Sequence, residues 1–230
     1  LYAARQLGMI TIVDCMRGGL PTTLSSIADA YLKSDGPLYT DAITLIPYYG
    51  FHSLNGLIED ALSQGHGVFI ASLTSNPEAA NLQTSIRQRG EYEGRTVAYG
   101  IARGAQNYND GYPGMGSVGL VIGATIGHQM DLNGMNPAEF TGPILSPGYG
   151  WQGAKGKDLE VVFAGTYHNV LVTAARAIAA YGPDISSLRK KIDEYKTDIQ
   201  QSFDDMDRRM ANGETAEQIA HGIREGQDAD

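Results

Sequence analysis

The side chains with the most chemistry to offer stand at the ends of short apolar runs. The first run, Ile10–Cys15, closes on Asp14-Cys15-Met16-Arg17-Gly18-Gly19. In an extended strand alternate side chains share a face, which puts Asp14 and Met16 on one side and Cys15 and Arg17 on the other. Asp14 then reads either as a carboxylate turned into a strand-lined site or as a cap for the loop or helix that follows. The run Val68–Leu73 leads into Thr74-Ser75-Asn76-Pro77. Ser75 and Asn76 can read a polar ligand by hydrogen bonds, or form an ordinary turn and N-cap. Ile144–Pro147 opens into Gly148-Tyr149-Gly150-Trp151-Gln152-Gly153. Such a glycine-rich loop can wrap a ligand and turn amide N–H groups toward an anion. After Val170–Ala174 comes Arg176, read either as a bidentate grip on phosphate or as half of a surface ion pair. The histidines show no metal-binding spacing of the HExxH kind, and His66, His128 and His168 read as loop or surface residues. Asp204, Asp205 and Asp207 read as a solvated helix face, so no metal site is expected.

The elements that must position these residues alternate. Ala42–Ile46 and Leu120–Thr125 complete a set of six runs, short and rich in Val and Ile, that suit strands buried on both faces. Amphipathic stretches at Leu24–Lys33, Ser53–Ser63, Asn81–Ala105, Gly127–Asn133 and Asp158–Ala164 lie between them. Alternation of this kind predicts parallel strands joined by right-handed crossovers. Two architectures satisfy it: a closed (β/α)8 barrel, which needs eight strands, and an open doubly wound sheet of six. Leu1–Leu7 reads as the end of a helix and the chain starts on Leu rather than Met, which suits a barrel entered at its third strand with two units upstream, but the pattern alone leaves both architectures open. Residues 1–182 form this α/β part. Residues 183–211 are expected to form a charged helix packing on it, with Leu188, Ile192, Tyr195, Ile199 and Phe203 at spacings of three and four. Residues 212–230 read as an acidic tail, a weak helix that frays.

Composition narrows the function. The 230 residues carry a formal net charge of -9, which opposes a nucleic-acid footprint but allows a small anionic ligand held by one Arg and a few amides. Cys15 is the single cysteine, which excludes an internal disulfide and fits a reducing, cytoplasmic setting. No apolar run reaches the roughly 18 residues of a membrane helix, and no signal peptide is visible.

Five segments, in order, carry a resemblance: Asp41–Gly50, Gly67–Pro77, Gly119–Thr125, Pro147–Gly153 and Ala175–Ile178. From about Ala4 to Ala180 the chain resembles the orotidine 5′-phosphate decarboxylases, in the longer form found in many bacteria. The resemblance selects the (β/α)8 TIM-type barrel, with about six of its eight units in this chain. It implies a cofactor-free carboxy-lyase that converts orotidine 5′-phosphate to UMP and CO2, and a cytoplasmic homodimer whose small-molecule partner is a pyrimidine nucleotide. It assigns the phosphate to Arg176, Gln152 and the amides of Gly150 and Gly153. It counts Thr23, Ser75 and Pro147 with Gln152 and Arg176 as substrate-binding residues, with Ser75 against the pyrimidine and Thr23 near a neighbouring subunit.

The family motif Asp-x-Lys-x-x-Asp aligns with Asp14 to Gly19. Asp14 and Thr23 match, whereas Met16 stands at the catalytic lysine and Gly19 at the second aspartate. Ile46 replaces a common Asn, and Ala175 a common Ser. The family lysine protonates the carbanion left at C6 and stabilises its charge. Methionine offers neither proton nor charge. Arg17 does not substitute for it, being on the opposite strand face and reluctant to give up a proton. Three readings follow: an altered or partial decarboxylase, a non-catalytic nucleotide binder, or a barrel enzyme with other chemistry on a phosphorylated ligand.

Overall fold

A computed structural model of the chain describes residues 1–227. Its six strands are β1 (Ile12–Arg17), β2 (Ala42–Leu45), β3 (Gly67–Leu73), β4 (Val118–Ile122), β5 (Ile144–Ser146) and β6 (Val170–Val172). They are parallel and hydrogen-bonded in chain order, β1 to β6. A doubly wound sheet would reverse its order part-way, so the arrangement is that of consecutive (β/α)8 units. The helices are α1 (Tyr2–Gln6), α2 (Pro21–Tyr31), α3 (Asn55–Ser63), α4 (Ala80–Gln83), α5 (Val97–Asn109), α6 (Gln129–Leu132), α7 (Gly156–Phe163), α8 (Arg176–Ala179), α9 (Ile185–Ala211) and α10 (Ala216–Gln227).

The chain divides into two compact units. The first comprises Leu1–Ser72, Ile86–Val121 and Thr141–Ile144. The second comprises Leu73–Ser85, Ile122–Phe140 and the chain from Leu145 onward. The first has its core in Ile43, Leu45, Leu54, Ile58, Ile70 and Leu120, each fully buried. Pro21, free of the N–H that a helix start cannot use, opens α2, and Leu24 and Ala28 turn inward one turn apart. Asp41 ties the start of β2 to the residue preceding β1: its carboxylate accepts from the Thr11 amide at 2.7 Å and from the Thr11 hydroxyl at 2.8 Å. Burial opposes ionisation there, but those hydrogen bonds outweigh it and hold the Asp41 carboxyl below its ordinary value.

In the second unit α7 packs on α9 and α10, with Leu159, Phe163, Met206 and Ile219 buried. The fully buried Glu160 is paired with Lys157 at 3.0 Å and accepts from the Ser202 hydroxyl at 3.1 Å. Asp184 caps α9 by accepting from the Ser187 amide at 2.7 Å. Of the tail expected over 212–230, Ala216–Gln227 is helical, and residues 228–230 lie outside the described residues.

Three expectations are corrected. Asn81–Ala105 is not one helix: α4 ends at Gln83, and α5 starts at Val97 on a Thr96 cap. Between them Gly90, Tyr92 and Gly94 take positive φ, which a right-handed helix does not admit. His66 and His128 do lie in loops, as read, but neither is at the surface: both are largely buried, His66 edge-on to Tyr39 and His128 stacked on His221. Strict alternation fails along β1. Ile12 and Val13 pair with Ala42 and Ile43, but Arg17 pairs with Leu45, so β1 carries extra residues between Val13 and Arg17.

Candidate functional site

In the first unit the irregular end of β1 is organised by Thr44. This residue, fully buried in β2, donates its hydroxyl to Asp14 Oδ1 at 2.8 Å and accepts from the Met16 amide at 2.8 Å. Cys15 Sγ donates to the Thr44 carbonyl at 3.4 Å, and burial raises its thiol above the ordinary value. Met16 adopts φ 44°, a region non-glycine residues seldom visit. Asp14 is exposed, and its Oδ1 is the oxygen that Thr44 holds. Gly19 is buried against Thr23, which lies exposed in the first turn of α2. The structure thus joins Asp14 to Met16 through one hydroxyl and sets Gly19 on Thr23.

The second unit holds the remaining candidates. Ser75 follows β3 at a point where the chain lies close against Gly123. The Gly123 amide donates to the Leu73 carbonyl at 2.8 Å, and a side chain at Gly123 would begin 2.9 Å from the Ser75 nitrogen. So placed, Ser75 donates its hydroxyl to Gln152 Oε1 at 2.8 Å, joining two residues 77 positions apart. Pro147 accepts from the Ala124 amide at 2.8 Å, which ties the root of the loop to the residues after β4.

The loop itself is tightly built. Gly150 has φ 73°, and a Cβ on it would sit 2.7 Å from the Tyr195 hydroxyl and 2.9 Å from Ala177. Only glycine fits where α8 and α9 both close on the backbone. The Gly150 amide donates to Ala154 and the Gly153 amide to Gly150, so both are engaged within the loop. Tyr149 is buried beneath, donating to Asp198 of α9, which also accepts from the Gly156 amide at 2.8 Å. Burial and that carboxylate push the Tyr149 hydroxyl far above its ordinary value.

Arg176, exposed at the start of α8, makes no ion pair with any described residue; its guanidinium carbon lies 5.5 Å from the centre of the Trp151 ring. The surface ion pair left open by the sequence is therefore not what the structure has. Sequence reasoning missed Thr44, Tyr149, Asp198 and Trp151. Only Thr44 had a local signal, as the polar residue within the apolar run Ala42–Ile46.

The architecture agrees with comparisons to known proteins. The family model described as orotidine 5′-phosphate decarboxylase / HUMPS matches residues 2–190. This chain belongs to that family. The orotidine 5′-phosphate decarboxylase of Salinispora tropica is 41% identical over 194 residues, 84% of this chain and 67% of the relative. That of Streptomyces coelicolor is 36% identical over 196 residues, 85% of this chain and 68% of the relative. A solved structure from Streptomyces avermitilis, named for the same decarboxylase, superposes with a TM-score of 0.79 at 35% identity, covering 87% of this chain and 68% of that one. The chain spans about two thirds of the length of these relatives. At the end of β1 the chain carries Met16 and Gly19, where the resemblance leads one to expect lysine and aspartate.

Proposed function

We propose that this chain is a pyrimidine-nucleotide-binding member of the orotidine 5′-phosphate decarboxylase family, retaining the ligand-binding loop and lacking the proton donor. One observation carries the reading: Met16 stands beside Asp14 on the same Thr44 hydroxyl. A carboxylate facing the carboxylate of orotidine 5′-phosphate raises the energy of the bound substrate. Expulsion of CO2 leaves an electron pair at C6 that needs a proton and a neighbouring positive charge. Met16 supplies neither, and Asp14 is the wrong sign.

The binding half is supported by the Ser75–Gln152 hydrogen bond and by Arg176 lying over Trp151, the residue before Gln152. Ser75 would read the pyrimidine, and Arg176 would take the phosphate through its in-plane N–H donors, with Gln152 closing over it. Because the Gly150 and Gly153 amides are engaged inside the loop, Arg176 carries the larger share of the anion grip. Among the described residues no helix is long and apolar enough to cross a membrane. The resemblance and the single cysteine support a cytoplasmic homodimer with the Thr23 end of α2 near the second subunit.

Calorimetric titration with uridine 5′-phosphate and an assay with orotidine 5′-phosphate test the reading together. The chain should bind the first and leave the second essentially unconverted. A charge-assisted contact worth about 1.5–3 kcal/mol predicts that Arg176→Ala weakens binding by about tenfold or more. Turnover at about 1 s⁻¹ or faster would show another proton donor, and failure to bind would remove the nucleotide reading.

A further inference from the structure

Trp151 is the chain's single tryptophan, and it stands 58% exposed on the loop between Gly150 and Gly153. So exposed, the indole contributes little to the core and leaves a ring face open to a neighbouring group. The loop under it is fixed: Tyr149 is buried on Asp198, and Gly150 is pinned between Tyr195 and Ala177. Over its ring sits the Arg176 guanidinium, its carbon 5.5 Å from the ring centre, with no carboxylate among the described residues pairing it.

We propose that Trp151 is a positioning residue for Arg176, holding the guanidinium ready for a phosphomonoester. The inference rests on the reading of this loop as the phosphate site. A guanidinium is attracted to an aromatic ring by its face, whereas its five N–H donors lie in its plane. The two interactions therefore use different parts of the same group, and ring and phosphate do not compete. An exposed arginine otherwise loses much rotamer freedom when it grips a ligand. Resting on a fixed indole, it has lost part of that freedom before the ligand arrives, which tightens binding of the phosphate alone.

Uridine 5′-phosphate and uridine, titrated calorimetrically into the full chain, Trp151→Phe, Trp151→Ala, Arg176→Ala and the double alanine variant, decide the matter. Trp151→Ala should weaken the nucleotide by about threefold to fivefold, Trp151→Phe by less, and neither should alter uridine. In the Arg176→Ala background the loss from Trp151→Ala should vanish, because a residue acting through Arg176 has nothing left to act on. The Trp151 emission of the wild-type chain should change on addition of the nucleotide, and should not do so in Arg176→Ala. Equal losses with and without Arg176, or unchanged affinity in Trp151→Ala, would overturn the role of Trp151 while leaving the phosphate loop standing. A wild-type chain that binds uridine 5′-phosphate no better than uridine would overturn the phosphate loop itself, and the role of Trp151 with it.

Discussion

Thr44 gives one hydroxyl to Asp14 and takes the amide of Met16, so removing it leaves a half-buried N–H without its acceptor. Thr44→Val keeps the shape and should cost about 1–3 kcal/mol in urea unfolding, whereas Thr44→Ser should retain most of the wild-type stability. Indistinguishable midpoints for Val and Thr would show that the hydroxyl does not hold the strand end. Replacing Met16 and Gly19 by the family residues tests the chemistry. Lysine at Met16 inherits the same φ of 44° and adds no new backbone strain, and an aspartate Cβ at Gly19 would lie 3.2 Å from Thr23, which needs a shift of a few tenths of an ångström. Met16→Lys with Gly19→Asp, in a chain extended upstream by two β/α units, should therefore fold and gain decarboxylation, general acid catalysis alone contributing about 10²–10⁴-fold. A variant that binds nucleotide and stays inert would place the defect beyond these two positions. Asp14, Ser75, Gln152 and Arg176 could be singled out as candidates from the sequence because Asp14 closes a recognisable apolar run and the other three follow one. Thr44 and Asp198 could not be assigned their partners, which lie 30 and 49 residues away along the chain. The face argument for Met16 and Arg17 rested on alternation, and the extra residues in β1 break it.

Among the elements, α9 is the one whose role the sequence understated. Its charged pattern and spacing disclosed a helix, now Ile185–Ala211, but not that Asp198 and Tyr195 would brace the binding loop. A second tyrosine repeats the device, Tyr167 donating to Asp207 of the same helix. Burial, reinforced by that carboxylate, pushes the Tyr167 hydroxyl up to about 12, and Tyr149 lies higher still. Both groups hold their protons more firmly folded than unfolded. Their contribution is therefore complete below the unfolded value of about 10 and declines as pH rises past it toward the folded values. Urea midpoints should fall between pH 10 and pH 11, and fall less steeply in the Tyr149→Phe, Tyr167→Phe double variant. Equal slopes would show that neither hydroxyl is linked to folding. Strand and helix alternation was legible because strands buried on both faces read as continuous apolar runs. The break in Asn81–Ala105 had local signals in Gly90, Gly94 and the capping Thr96, which the amphipathic reading passed over; only the φ of 60° at Tyr92 had none.

For the whole molecule, the family resemblance predicts association, and Thr23 on the exposed first turn of α2 marks the surface concerned. Light scattering at tens of micromolar should give twice the chain mass, 24.6 kDa for one copy, and a monomer would contradict the proposed dimer. The one thiol has a practical consequence. Cys15 is partly buried, donates to the Thr44 carbonyl, and is held above the ordinary thiol value, so little of the nucleophilic thiolate is present near neutral pH. The chain thus comes with a quiet background for site-directed labelling. A cysteine introduced at the exposed Lys196 should capture a maleimide dye well before Cys15 does, letting a fluorophore pair be placed at will without first stripping out the native sulfur.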